Sequence, residues 1–214
     1  PHQHALLESD DPGLLLVAPT GAGKTLAGFL PSLIDLAGPE QAGLHTLYVS
    51  PLKALATDIG RNLQTPVKEM GLEIRIEDRT GDTSASIKRR QRVDPPNLLL
   101  TTPESLALLL SQPDGLRLFR DLRRIVVDEV HALAGSKRGD QLSLCLARLR
   151  SIAPSHRLVA LSATVDQPQA IADWLSPGHC RTHFADPGPE PEFGKGIRGR
   201  QASVAPAYVQ DFPQ

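Results

Sequence analysis

The chain has 214 residues, of which 40% are hydrophobic and 22% are charged, so it can bury a core and is not a disordered segment. Because 23 Lys and Arg residues balance 24 Asp and Glu residues, binding to nucleic acid would need a local patch rather than an overall positive charge. Aromatic residues make up only 4%, which argues against recognition by a row of stacked rings, and no apolar run reaches the length of a membrane span.

The cysteine content is low. Cys145 and Cys180 have no neighbouring ligands at metal-site spacing, which predicts neither a zinc site nor a disulfide framework. Since no signal peptide opens the chain, this pattern favours a reducing, cytoplasmic location.

Aliphatic runs alternate with helical patterns along residues 1–176. Runs of three or four aliphatic residues suit strands that are buried on both faces of a parallel sheet. They occur at residues 14–18, 46–50, 97–101, 124–128 and 157–162, and an alternating, half-exposed strand is predicted at 72–77. Helices are predicted at 24–37, 53–70 with a break or kink at Pro66, 103–111 and 139–152. The order predicts one α/β domain, with a mostly parallel sheet and helices on both faces.

The composition changes after residue 176. Residues 177–214 are rich in proline and show no apolar periodicity, which predicts an irregular Pro/Gly-rich tail or linker. Three basic residues among the glycines of 194–200 would either touch a phosphate backbone or belong to a solvated tail.

A phosphate-binding loop is predicted after the first strand. Residues 18–25 read Ala-Pro-Thr-Gly-Ala-Gly-Lys-Thr and lie between an aliphatic run and a helix. The glycines let backbone N–H groups turn toward phosphate oxygens, and the helix adds its positive N-terminal end. Lys24 is expected to reach the β- and γ-phosphates of ATP, and Thr25 to place its hydroxyl on Mg²⁺. The expected nucleotide contacts in this loop are Thr20, Gly21, Ala22, Gly23, Lys24 and Thr25.

Two acids follow the aliphatic run that ends at residue 127. A carboxylate at the carboxyl end of a parallel strand lies beside such a loop, so Asp128 is expected to hold Mg²⁺. Glu129 is expected to orient and deprotonate the attacking water, and His131 to connect the site to neighbouring loops. Alone, the two acids would also suit a solvated strand end. With the loop they predict ATP hydrolysis, with Lys24, Asp128 and Glu129 as catalytic residues.

Six segments in order resemble the motifs of superfamily 2 helicases, across roughly residues 1–175. They are residues 18–25, 51–55, 80–82, 101–104, 128–131 and 162–164. The resemblance implies a RecA-like lobe that uses ATP and Mg²⁺. Asp-Glu-Val-His at 128–131 departs from the Asp-Glu-Ala-Asp of the large RNA helicase family. Segments 50–55, 79–83 and 136–140 resemble the large helicase-related DNA helicases, most of all the ligase-associated DEXH-box helicases of bacterial DNA repair.

The resemblance also implies functional contacts. It implies 3′-to-5′ translocation on single-stranded DNA, which would lie across the loops at the carboxyl ends of the strands and be held by its backbone without sequence reading. The implied contacts are Pro51, Lys53, Thr80, Gly81, Thr101, Thr102 and Pro103. Ser162 and Thr164 would hydrogen-bond toward the acid motif and, with His131, couple hydrolysis to strand movement. Gln3 would either read the adenine edge or be an exposed terminal residue.

Several basic residues have two interpretations. Lys88, Arg89, Arg90 and Arg92 would form either a DNA-facing patch or a solvated helix face, and Arg120, Arg123 and Arg124 are expected to be solvated. Residues 136–138 would contact DNA or a partner lobe.

Helicases of this superfamily work with two RecA-like lobes. Because no second set of strands and no arginine-finger motif follows Thr164, we expect a fragment or truncated product that lacks its second lobe. Such a chain would bind ATP weakly, hydrolyse it slowly and not unwind DNA alone. Three alternatives remain: an RNA helicase lobe, the motor lobe of a restriction or remodelling translocase, and a non-enzymatic ATP-gated binding module.

Overall fold

Seven strands of the chain form one sheet. The computed structural model describes residues 9, 11–19, 21–38, 43–176 and 180–184. Its strands are β1 Gly13–Val17, β2 Thr46–Val49, β3 Ile76–Arg79, β4 Leu98–Thr101, β5 Arg124–Val127, β6 Arg157–Ser162 and β7 Cys180–Phe184. They lie in the order β3-β4-β2-β5-β6-β1-β7, and every pairing is parallel.

Helices cover both faces of this sheet. They are α1 Lys24–Leu36, α2 Lys53–Glu69, α3 Ala85–Val93, α4 Pro103–Leu110, α5 Gly115–Leu118, α6 Lys137–Ile152 and α7 Pro168–Leu175, with a 3₁₀ turn at Val130–Ala132. No helix in the described part of the chain is long and apolar enough to cross a membrane.

Strand side chains alternate between two apolar clusters. On β5, Ile125 and Val127 pack in the cluster that holds side chains of α4, α6 and α7, whereas Val126 packs with α1 and α2 on the other face. Because both faces are covered, the strands read as continuous aliphatic runs. This arrangement confirms the predicted α/β fold.

Three local expectations need correction. The strand expected at 72–77 lies at Ile76–Arg79, and Leu72 packs against the core from the segment before it. Pro66 does not break α2, which continues through it to Glu69; because Pro66 lies in the last turn, only three helical residues follow the hydrogen bond that it removes. Residues 180–184, expected to be irregular, form the edge strand β7 beside β1. An edge strand needs fewer buried residues, so β7 lacks the aliphatic run that marks the central strands.

Candidate nucleotide site and nucleic-acid face

The loop after β1 has the backbone geometry of a phosphate cradle. The N–H of Ala18 donates to Ser162 O at 3.0 Å, which extends the β1–β6 pairing one residue beyond the strand. Gly21 and Gly23 then adopt φ values of 84° and 75°, a left-handed conformation that favours glycine. A Cβ at Gly21 would meet no atom within 4 Å, so open space adjoins this turn. The backbone can therefore approach a phosphate group closely.

Lys24 begins α1 with its side chain folded over the loop. Its Nζ donates to the carbonyl oxygen of Pro19 at 3.0 Å, and only 6% of the residue is exposed. This contact keeps the ammonium group at the open side of the N-terminus of α1, where a helix favours negative charge.

Asp128 follows β5 and is the most connected polar group of the site. It is 2% exposed, and its Oδ2 lies 3.5 Å from Thr25 Oγ1. The same Oδ2 accepts a hydrogen bond from the hydroxyl of Tyr48 at 2.6 Å, while Oδ1 accepts the N–H of Glu129 at 2.8 Å. A hydroxyl and a carboxylate at this separation are hard oxygen donors, the chemistry that suits Mg²⁺.

Glu129 is held in an unusual backbone conformation. With φ 46° and ψ 45°, it is the one non-glycine residue with positive φ among the residues described. The turn brings its Oε2 to 3.3 Å from His131 Nδ1, and its side chain remains 31% exposed. The carboxylate is thus both anchored beside a histidine and accessible to water.

His131 connects the acid motif to the segment after β6. Its Nδ1 lies 3.0 Å from Ser162 Oγ, and Ser162 Oγ in turn donates to the carbonyl oxygen of Thr164 at 3.2 Å. The structure therefore brings together three of the predicted coupling residues. Thr164 takes part through its backbone carbonyl oxygen, and the residue as a whole is exposed.

The residues expected to contact nucleic acid form two groups. Lys53, at the start of α2, pairs its Nζ with Asp82 Oδ2 at 2.6 Å, and both side chains are exposed. The N–H of Thr80 donates to Thr83 Oγ1 at 3.0 Å, and Gly81 O accepts from Lys88 Nζ at 3.1 Å. An open cleft of about 920 Å³ is lined by residues of this first group, Lys53, Thr80 and Asp82 among them.

The second group is more closely tied to the fold. Thr101 is fully buried and its hydroxyl donates to Arg79 O at 2.7 Å, so this hydroxyl faces the interior instead of the surface. Thr102 caps α4 by accepting the N–H of Ser105, with Pro103 as the first helical residue. The expectation of a direct hydroxyl contact from Thr101 therefore finds no support in its placement. Thr102 and Pro103 are also buried, because Thr102 caps the helix and Pro103 packs in its first turn.

Arg138 is a residue whose role the sequence pattern left open. It lies in the first turn of α6, where it donates from Nε to Glu104 Oε1 and from a terminal nitrogen to Pro51 O at 2.6 Å. The guanidinium also lowers the pKa of Glu104. Arg138 thereby ties the loop after β2 to the loop after β4. Its only sequence signal was a basic residue soon after the acid motif.

Other basic residues are used within the lobe. Arg90 makes a bidentate pair with Glu77 at 2.9 and 2.7 Å, and Arg124 pairs with Asp35 at 2.8 Å. The Arg90 side chain is 46% exposed, which favours the solvated helix face for that residue. Arg124, expected to be solvated, is only 14% exposed, because its guanidinium folds against Asp35. Gln3 and Thr20 lie outside the described residues.

Comparisons with known proteins identify the family of the chain. A family model described as DEAD/DEAH box helicase matches residues 2–171. The chain is 39% identical over 191 residues to the ATP-dependent helicase Lhr-Core protein 2 of Thermococcus barophilus, covering 82% of this chain and 22% of the relative. It is 43% identical over 183 residues to the Lhr helicase/probable uracil glycosylase of Mycolicibacterium smegmatis, covering 78% of this chain and 12% of that protein.

A solved structure gives the same result. The helicase Lhr of Mycobacterium smegmatis bound to ssDNA and AMP-PNP aligns with a TM-score of 0.79 and 39% identity, over 87% of this chain and 26% of that one. The chain spans less than a quarter of the length of these two curated relatives.

Proposed function

Because this chain belongs to the DEAD/DEAH box helicase family, we propose that it acts as the ATP-binding motor lobe of a large helicase-related DNA helicase. The observation that carries the proposal is the 3.5 Å approach of Thr25 Oγ1 to Asp128 Oδ2, which joins the phosphate loop to the acid motif. The Lhr names of the relatives confirm the predicted resemblance to the large helicase-related group. The ligase-associated DNA-repair subgroup and the 3′-to-5′ polarity stay predictions.

In this proposal, residues of the loop hold the triphosphate of ATP. Backbone N–H groups of Gly21, Ala22 and Gly23 would surround phosphate oxygens. For this, the N–H of Ala22 and the Nζ of Lys24 would both give up their bonds to Pro19 O, and Lys24 would turn to the β- and γ-phosphates. Thr25 and Asp128 would be the protein ligands of Mg²⁺. When bound, that ion neutralises charge that develops on the phosphates.

Glu129 would supply the base. Its carboxylate is partly exposed, so a water molecule can reach it, and the rigid turn at its backbone fixes where that water would stand. The proton taken from the water would rest on Glu129. His131 lies 3.3 Å from this carboxylate and 3.0 Å from Ser162 Oγ. When Glu129 takes up the proton and loses its charge, the hydrogen bonds of His131 would change, and this would alter its contact with the segment after β6.

Single-stranded DNA is the proposed polymer substrate. The loops after β2, β3 and β4 open on one edge of the sheet, and the Lhr structure with a TM-score of 0.79 is bound to ssDNA. Exposed Lys53 and backbone groups of the loops would contact the phosphates, which gives binding without sequence preference. A second RecA-like lobe and a cytoplasmic location also belong to the proposal. Two buried free cysteines support a reducing compartment.

The Glu129→Gln variant tests the proposed function. It keeps the size and the backbone turn but removes the base, so ATP hydrolysis should fall by about 10²-fold or more while nucleotide binding is retained. Hydrolysis would be followed by phosphate release, and binding by a fluorescent ATP analogue. Glu69→Gln, at the exposed end of α2, is the matched control and should hydrolyse ATP like the parent.

The same assay separates the alternatives. Hydrolysis that persists unchanged in Glu129→Gln would favour a non-enzymatic ATP-gated module with a contaminating ATPase. Stimulation of the protein by single-stranded RNA but not by single-stranded DNA would assign the lobe to an RNA helicase.

A further inference from the structure

Tyr48 is a buried tyrosine whose hydroxyl reaches the acid motif. It lies on β2, is fully buried, and stacks its ring on Phe29 of α1 with centroids 5.1 Å apart. The sequence pattern places it inside an aliphatic run, where an apolar residue would serve the core equally well. Its hydroxyl instead donates to Asp128 Oδ2 at 2.6 Å, a short bond of the kind made to a charged acceptor.

The direction of this hydrogen bond is fixed. A carboxylate oxygen can only accept, so the phenol is the donor in its bond to Asp128.

The Asp128 carboxylate is consequently held at both oxygens. The N–H of Glu129 occupies one acceptor position on Oδ1, and Tyr48 occupies one on Oδ2. Each carboxylate oxygen has about two acceptor positions, so Oδ2 retains one. The Thr25 hydroxyl donates to Oδ2 at this remaining position, through a long bond of 3.5 Å. The two hydrogen bonds thus set the plane of the carboxylate relative to Thr25.

We propose that Tyr48 is a positioning residue for Mg²⁺: it orients Asp128 so that one Oδ2 acceptor position and the Thr25 hydroxyl address the same ion. This inference rests on the proposed function. Partners that orient metal-binding carboxylates commonly contribute about 10- to 100-fold in metal affinity or activity. Tyr48 would act through Asp128 and would not contact the nucleotide.

Tyr48→Phe isolates the hydroxyl, since the ring can still stack on Phe29. Binding of ADP would be measured by calorimetry with and without Mg²⁺, together with thermal unfolding. We expect ADP affinity without Mg²⁺ to equal that of the parent, and the gain in affinity on adding Mg²⁺ to fall by about tenfold. In an Asp128→Asn background, Tyr48→Phe should cause no further loss of that gain.

The outcomes separate the two proposals. A parent chain that binds ADP with no dependence on Mg²⁺ overturns both the proposed function and the role of Tyr48. A Mg²⁺-dependent parent with a folded Tyr48→Phe variant of equal Mg²⁺ dependence overturns the role of Tyr48 alone. An equal loss of ADP affinity without Mg²⁺ would show that Tyr48 supports the fold of the site and not the metal.

A second measurement does not depend on the Phe variant being stable. The chain has two tyrosines, so 3-fluorotyrosine labelling gives two fluorine signals, and Tyr208→Phe assigns the one from Tyr48. The Tyr48 signal should shift when Mg²⁺ is added to the ADP-bound protein. A signal that stays in place while Mg²⁺ tightens nucleotide binding would contradict the proposal.

Discussion

Glu129 carries a backbone conformation that side chains with a Cβ avoid. A left-handed residue other than glycine costs on the order of 1–3 kcal/mol and persists where the surrounding structure fixes it. Here the N–H of Glu129 donates to Asp128 Oδ1 at 2.8 Å, and the 3₁₀ turn at Val130–Ala132 follows directly. The chain thus accepts strain at the residue proposed as the base. Glycine at this position would relieve the strain but would remove the carboxylate. The strained glutamate is therefore explained by the proposed role of its carboxylate as the base.

Two buried histidines make the stability of the lobe depend on pH. His45 and His156 are 3% and 6% exposed, and burial is the main cause that lowers the pKa of each from 6.5. For each histidine, the unfolded chain therefore binds more protons than the folded chain at any pH between the lowered, folded pKa and 6.5. In that range the stability of the folded chain rises with pH. This stability should be fully present above about pH 6.5, and it should decline as the pH falls from there through the lowered pKa values of the two histidines.

Thermal unfolding followed by circular dichroism between pH 5 and pH 8 measures this effect. Replacing both residues in a His45→Gln, His156→Gln variant should flatten the slope below pH 6.5, although it lowers the melting temperature overall. A parent slope that survives in the double variant would assign the effect to other groups.

The residues that the sequence could reveal are those with a local pattern. Lys24 and Thr25 follow two glycines, and Asp128 and Glu129 end an aliphatic run, so neighbouring residues identify them. Tyr48 has no such pattern, because its role depends on a hydroxyl that reaches another strand 80 positions away. Only the register of β2 beside β5 makes that contact visible.

Glycines inside two helices illustrate how α6 and α2 pack. A Cβ at Gly139, in the first turn of α6, would overlap the carbonyl oxygen of Leu133 and lie 3.1 Å from Trp174 Cζ2. A Cβ at Gly60, within α2, would meet only Leu100 Cδ1, at an ordinary 3.8 Å. The two glycines therefore serve different purposes, although both are buried in helices.

Replacing each by alanine should give effects of opposite sign. Gly139→Ala should destabilise the chain by roughly 1–3 kcal/mol through overpacking. Gly60→Ala should stabilise it by up to about 1 kcal/mol, because alanine favours helix. Denaturant unfolding compares both with the parent. Equal effects of the same sign would mean that the close approach of Gly139 to Leu133 does not constrain α6.

Arg138 connects elements that the sequence presents as separate motifs. It joins the loop after β2, through Pro51 O, to Glu104 at the start of α4, and its helix follows the acid motif. One side chain therefore connects both loops to the helix that follows the motif. The sequence predicted α1, α2, α4 and α6 but not α3, α5 and α7. The cross-connection through Arg138 was not predicted either, because it depends on three loops meeting at one edge of the sheet.

Arg138→Gln should weaken binding of single-stranded DNA by about two- to fivefold, since the pair with Glu104 is half-exposed and worth about 1 kcal/mol or less. Fluorescence anisotropy of a labelled oligonucleotide measures the affinity. Arg75→Gln is the matched control, because Arg75 makes a similar bidentate pair with Asp94, and that pair lies away from these loops. Equal losses in both variants would indicate a general electrostatic effect instead of loop positioning.

At the scale of the whole molecule, the sheet order brings the proposed ATP contacts to one place. The strands β1, β6 and β5 are neighbours, so every proposed ATP contact from the lobe converges at their carboxyl ends. The described residues bring no arginine to Thr25 or Asp128 in any hydrogen bond or ion pair of the site. In related NTPases an arginine supplied from elsewhere contributes about 10³- to 10⁵-fold to the rate.

The 214-residue chain alone should therefore hydrolyse ATP slowly and fail to separate a duplex. The chain spans 22% and 12% of the length of the two curated relatives compared above. A form as long as those relatives should hydrolyse ATP about 10³-fold faster or more than the 214-residue chain when single-stranded DNA is present. Phosphate release and strand displacement on a labelled duplex measure the two activities, and Lys24→Ala in the longer form should remove both. Duplex separation by the 214-residue chain alone would contradict this prediction, because it would require one lobe to supply both the phosphate site and the arginines that act on it.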